Sequence, residues 1–295
     1  MNQAVQLANA APEPRVESLW RQRWKRFRRN RLALIAGAVL LLLHLVVLLG
    51  PSLYHASPEA VAPLNALKSS SGAHWLGTDE LGRDTMARLL YGGRISLAVG
   101  FAAMAISVGL GTIVGATAGY FGGIVDMVQM RLTDALMSLP TIFLLLVILT
   151  VFKGGLVTVM VVIGITSWMG VARLVRSEML QSKEHEFVEA AVALGAGQLR
   201  VLRKHVLPSA YSSIIVAATL GIARAILVES ALSYLGLGIQ PPTASLGNML
   251  TNAQTYLWTA PVQALWPGLL ILLAVLCFNF LGDGLRDALD PRMKR

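Results

Sequence analysis

Apolar residues along the chain gather into charge-free blocks, each of the length needed to cross ~30 Å of hydrocarbon at 1.5 Å per helical residue. The first runs from Leu32 to Leu49 and is broken only by His44, and the second, Ile95 to Ala118, carries no charge. The third, Ala135 to Phe152, contains Pro140. The fourth, Leu156 to Ala172, follows a Lys153-Gly154-Gly155 turn too short to join anything but antiparallel neighbours. The fifth, Ser209 to Val228, is interrupted by Arg224, and the sixth, Pro261 to Leu281, opens on Trp266-Pro267 near an interface. The pattern predicts an all-α membrane protein of about six transmembrane helices. Its expected organisation is a basic tail over 1–31, a first span over 32–50, an extracytoplasmic segment over 51–94, a core over 95–282 containing a loop at 173–208, and a tail over 283–295. At 55% hydrophobic and 14% charged, the chain is too apolar for an ordinary soluble domain.

The net charge of +9 invites a nucleic-acid reading, but the positions of the basic residues give another cause. With the N-terminus in the cytoplasm, 19 Lys and Arg fall inside, most of them in the stretch Arg15–Arg31 and in the 173–208 loop. Only Lys68, Arg83, Arg88, Arg94 and Lys153 fall outside. The positive-inside rule therefore places both termini in the cytoplasm. Trp20, Trp24 and Phe27, set among these bases, suit a helix at the headgroup level, although a plain topology signal explains the bases as well. The basic tail is long and the first apolar run is full length, so a retained anchor is expected rather than a cleaved leader.

An engine within the chain is not visible. There is no phosphate-binding G-x-x-x-x-G-K-[ST], no H-E-x-x-H, no Cys/His ligand cluster and no nucleophile elbow, so neither cofactor nor metal is expected. The lone Cys277 lies in an apolar block, where it reads as a packing residue. Ionisable residues in spans mark pathways in many carriers, and here Arg224 and Glu229 alone qualify. Five residues apart, they point about 140° away from one another on a helix of ~3.6 residues per turn and make a poor pair. Thr166, Ser167 and Ser213 are further pathway candidates. Gly111, Gly115 and Gly119 form a four-residue repeat that lets a second helix approach closely, either from within the chain or from another subunit.

The 173–208 loop carries two short amphipathic segments. Phe187, Ala191 and Leu194 make a narrow apolar stripe among Glu184, Glu186 and Glu189, and Gly195 is a natural helix stop. In the second segment Leu199, Leu202 and Val206 oppose Arg200, Arg203 and Lys204, and Pro208 is expected to end the helix. Such a hinged pair suits a groove on a soluble partner or the bilayer surface.

Glu189-Ala190-Ala191, then Gly195, then Leu207-Pro208 resembles the EAA loop of bacterial ABC importer permeases in spacing and residue type, with His205-Val206 before Leu-Pro where many members have Ile. Leu76–Asp84 (LGTDELGRD), Ser233–Pro242 (SYLGLGIQPP) and Gly282–Pro291 (GDGLRDALDP) are similar to the dipeptide/oligopeptide/nickel branch, and the resemblance runs from about Arg28 onward. It implies a type I importer permease of the bacterial inner membrane that pairs with a second homologous permease. It also implies two cytoplasmic ATPases below the pair and an extracytoplasmic substrate-binding protein above. Glu189, Ala190, Ala191, Gly195, Leu207 and Pro208 would couple the chain to the ATPases, with Glu189 as acidic anchor and Gly195 as the turn between the short helices. The chain itself would not be an enzyme. The segments Thr78–Arg94 and Ser233–Ala260 would frame the outer gate.

Overall fold

The computed structural model describes residues 19–289; the expected basic tail before Leu19, with Arg15, and the last six residues lie outside it, as does the side chain of Trp20. Among the described residues the regular structure is helical. The α-helices are α1 (Leu19–Arg29), α2 (Arg31–Leu53), α3 (Thr85–Phe121), α4 (Gly123–Met137), α5 (Thr141–Phe152), α6 (Leu156–Ser182), α7 (Glu186–Ala193), α8 (Gln198–Val201), α9 (Tyr211–Tyr234), α10 (Leu246–Gln254) and α11 (Val262–Leu289).

Five helical stretches are long and apolar enough to cross a membrane, and α4 with α5 makes a sixth only if counted as one span bent by 83°. The bend falls at Ser138–Pro140, where proline can neither donate a backbone hydrogen bond nor follow an α-helical residue without a clash. The predicted straight span over Ala135–Phe152 is therefore two pieces. α4 is held across the end of α6 by ion pairs of Asp126 with Arg176 and of Asp134 with Arg173. α5, with 12 residues, is the apolar limb, and its Leu145 and Leu149 enter the core.

Other boundaries shift for identifiable reasons. α3 begins ten positions before the apolar block because Asp84 caps it, accepting from the Ala87 N–H at 2.7 Å. Of the segment expected to be extracytoplasmic, residues 51–53 belong to α2 and residues 85–94 to α3. α6 runs on to Ser182, so the first ten residues of the 173–208 loop belong to it. α11 continues to Leu289, past the expected end of the sixth block, because Gly282 and Gly284 let it close on Leu220 of α9 and Ala33 of α2.

The most extensive contact is between α3 and α6. A β-carbon on Gly111 would lie 2.6 Å from Val171 Cβ, and one on Gly119 2.6 Å from Met179 Cβ. Real carbon contacts are about 3.5–4.0 Å, so only glycine permits this approach. Around this pair, one hydrophobic cluster joins α2, α3, α5, α6, α9 and α11, with Leu40, Val99, Leu149, Ile163, Ile226 and Phe278 among its members. At α1, Trp24 is exposed and stacks on Phe27 at 5.8 Å between ring centroids. The side chains of Asn30 and Asp287 meet at 3.4 Å, so the two described ends of the chain share one end of the bundle, the end that also carries α7.

Candidate functional site

At the α7 end, the former loop is a compact unit rather than a flexible strap. Glu186 and Glu189 occupy the first turn of α7, where acidic side chains suit the helix dipole. The helix closes on Gly195, φ +81°, with Gly195 N–H donating to Val192 O at 2.9 Å and Ala196 N–H to Ala191 O at 3.1 Å. This paired bonding is a Schellman close, which requires a left-handed residue at that point. Val188, Val201, Leu202 and Val206 then pack with Val175 and Met179 of α6.

The face turned outward differs from the predicted stripe. Ala191 leans toward the packed side, whereas Phe187 is 48% and Leu194 88% exposed, and Val192 and Leu199 stand out with them. Leu199 thus parts company with Leu202 and Val206. Glu189 and Ala190 are exposed beside Phe187, and among the described residues the Glu189 side chain has no hydrogen bond or ion pair. Pro208 is exposed and Leu207 half-buried against the packed cluster.

Pro208 does not end the helix as expected. The chain passes from α8 through a π turn at Leu202–Val206 and a 3₁₀ turn at Leu207–Ala210 straight into α9, a helical rod of 37 residues from Gln198 to Tyr234. A proline ring crowds the carbonyl four residues back, and widening the preceding turn relieves it without breaking the axis.

Beside this unit lies a cleft of about 770 Å³ between the ends of α6, α9 and α11, lined by Glu178, Gln181, Ser182, His185, Ser212, Ser213 and Arg286 together with Val216, Ala217 and Leu220. Ser213 Oγ donates to Glu178 at 2.6 Å, and the Ser182 and Ser209 hydroxyls meet at 2.6 Å, tying the rod to α6. Of the proposed pathway residues, Ser213 is on this cleft. Thr166 is not: it is buried and donates to Val162 O at 2.8 Å within its own helix. Ser167, half-buried, does not line the cleft either.

Glu229 and Arg224 have opposite surroundings. Glu229 is 0% exposed and receives hydrogen bonds from Ser96 Oγ of α3 at 2.7 Å and from Ser233 Oγ at 2.8 Å. Ser233 Oγ in turn accepts from Ile239 N–H at 3.0 Å, and Ser96 Oγ from Leu246 N–H at 3.4 Å. Glu229 is thereby the centre of a lock joining α3, the SYLGLGIQPP loop and α10, whose start is fixed by a Ser245/Asn248 capping box. Arg224 is exposed, halfway along α9, with no partner among the described residues. A guanidinium facing lipid there would cost about 2.5–3.5 kcal/mol on insertion scales.

The LGTDELGRD segment lies at the end opposite α7, and its charges are turned inward rather than displayed. Asp79 accepts from Arg83 Nε at 2.6 Å and lies 3.3 Å from Arg88 Nε, while Glu80 takes Arg83 Nη2 at 2.9 Å. Arg88 is 1% exposed. Besides capping α3, Asp84 accepts from Tyr54 Oη at 2.7 Å and lies 2.8 Å from His74 Nδ1. Burial and, after it, the hydrogen bond to Asp84 and its charge push the Tyr54 phenol up to about 12. Gln263 at the start of α11 donates to Thr78 O at 2.6 Å. These contacts make the motif a clamp on the helix ends, a role that alternating charge in the sequence does not reveal.

A helical bundle with five or six spans and a packed helix–turn unit at one end has the architecture of a membrane-embedded subunit, and its class follows from its relatives. The chain belongs to the family described as binding-protein-dependent transport system inner membrane component, which it matches over residues 107–295, and residues 18–69 match the N-terminal transmembrane domain of oligopeptide transport permease C. It is 40% identical to the dipeptide transport system permease protein DppC of Alkalihalophilus pseudofirmus, covering 94% of this chain and 91% of that protein. Identity is 39% to the oligopeptide transport system permease protein OppC of Bacillus subtilis, at the same two coverages. The glutathione transport system permease protein GsiD of Escherichia coli is 40% identical, covering 99% of this chain and 97% of its own. The fold is that of the permease in the inward-facing MetNI methionine ABC transporter, with a TM-score of 0.58 and 22% identity over 70% of this chain and 98% of that one. A permease of this family works with an ATPase and a substrate-binding protein.

Proposed function

We propose that the chain is one of two homologous permeases lining the path of an ATP-driven importer of dipeptides or oligopeptides. Two cytoplasmic ATPases drive it through the α7 unit, the chain binds no nucleotide of its own, and both termini lie in the cytoplasm with α7. The peptide assignment rests on relatives described as dipeptide, oligopeptide and glutathione permeases, which share a substrate class of short peptides. One observation carries the coupling role: Glu189, Ala190, Phe187 and Leu194 are presented outward on a unit packed against α6 and continuous through Leu207 and Pro208 with the span α9. A push on that face moves the whole rod, which is the kind of rigid-body device that switches access between two sides.

The test is ATP hydrolysis by the purified assembly, with and without peptide-loaded binding protein. Glu189→Lys is expected to cut the stimulated rate by about tenfold or more, since losing one partner of an interfacial charge contact costs ~2–5 kcal/mol. Gly195→Val, which forces a β-branched residue to φ +81°, is expected to do the same. Normal stimulation in both variants would refute the role.

A further inference from the structure

One face of α9 continues upward from the cleft. Ser213, Ala217 and Leu220 line the cleft, and Arg224, Leu227 and Ala231 follow at the same three- and four-residue spacing, all exposed. The opposite face, with Ala223, Ile226, Glu229 and Ser230, is buried in the bundle. Arg224 is therefore the single charge on a stripe that begins in a polar, open cleft, and it lacks the compensation that the buried charges among the described residues receive around Asp79, Asp84 and Glu229. Its counterpart is not among the described residues.

We infer that Arg224 is a transient contact for the carboxylate of the peptide as it passes along α9 toward the cleft. This deepens the importer reading and rests on it. A short peptide always brings a C-terminal carboxylate, whatever its side chains, so one guanidinium on an otherwise uncharged stripe offers a contact common to all such substrates. Having no fixed partner among the described residues leaves it free to release the substrate. Glu229, held by two helices and a loop, has no such freedom, and it serves the architecture instead.

The lone Cys277 is buried, so Cys277→Ser gives a background without thiols. On it, Arg224→Cys is assembled with the full transporter and binding protein in proteoliposomes and treated with a methanethiosulfonate that adds an ammonium or one that adds a sulfonate. Uptake of a tripeptide is expected to fall about tenfold in Arg224→Cys, the loss of one charge-assisted hydrogen bond. The ammonium should restore uptake to within about twofold of the background, and the sulfonate should not. A thiol that neither reagent reaches with or without nucleotide, or an equal response to both reagents, would overturn the inference. So would loss of the second permease from Arg224→Cys preparations, which would assign the arginine to a carboxylate of that subunit. Absence of ATP-driven uptake in the unmodified transporter would instead sink the importer reading.

Discussion

Gly115→Ala isolates the close approach of α3 and α6. The added β-carbon would lie 2.8 Å from Val175 Cβ and 3.0 Å from the Arg176 amide nitrogen, and nearer still to the Ala172 carbonyl oxygen. Those neighbours are backbone or the branch point of a stiff side chain, so they cannot swing aside, and the helices must part by some tenths of an ångström. Overpacking of this sort costs about 1–3 kcal/mol, while replacing glycine by alanine within a helix returns ~0.5–1 kcal/mol. Gly109, six positions earlier on the same helix, has nothing within 4 Å of its β-carbon position. Gly109→Ala should therefore show the helix gain alone, and the difference between the two variants is the packing cost itself, about 1–3 kcal/mol. Thermal unfolding of the isolated chain in detergent, followed by tryptophan fluorescence, measures both. Equal stability of the two variants would refute the reasoning. If Gly115→Ala left the lone chain intact and weakened only its association with the second permease, the glycine face would belong to that interface and not to α6.

At the opposite clamp, Asp79→Ala removes the carboxylate beside Arg88 and one of the two that hold Arg83, both arginines nearly fully buried, and is expected to cost about 3–5 kcal/mol, read as loss of folded chain in the membrane; accumulation at the parent level would count against the clamp. Because the Tyr54 phenol is raised above its unfolded value of 10.0 to about 12, its contribution is complete below pH 10 and declines as pH rises toward 12. The stability difference between parent and Tyr54→Phe should accordingly shrink over that interval and stay constant from pH 7 to 9, where the phenol is protonated in both folded and unfolded chains.

The spans were legible because lipid imposes a rule of length and charge that a sequence either meets or fails. Where that rule was obeyed by packing instead of by apolar content, reading failed. Arg88 and Asp84 look like soluble residues, yet one is buried against Asp79 and the other caps α3, so the helix starts at Thr85 and not at the apolar block. Pro140 stood inside a block read as one span, and the 83° turn there takes its direction from Asp126 and Asp134 reaching arginines about 40–50 positions away on α6. Gly195 was readable as a stop because a left-handed close has few other solutions. Pro208 misled for the same reason in reverse: proline forbids one hydrogen bond, and the π turn before it lets the axis continue.

That continuity links the two ends of the molecule. The rod from Gln198 to Tyr234 begins at the packed α7 unit, passes the cleft at Ser213, carries Arg224 beyond its middle and reaches Glu229, which is bonded to α3 and fastens the loop leading to α10. A displacement at Glu189 and Phe187 therefore has no loose joint in which to dissipate before it arrives at Glu229. Its two anchorages differ in kind. The start of the rod is buried against Val175 and Met179 of α6 and tied there by the Ser182–Ser209 and Glu178–Ser213 hydrogen bonds, whereas Glu229 is buried among polar partners and holds several donors at once.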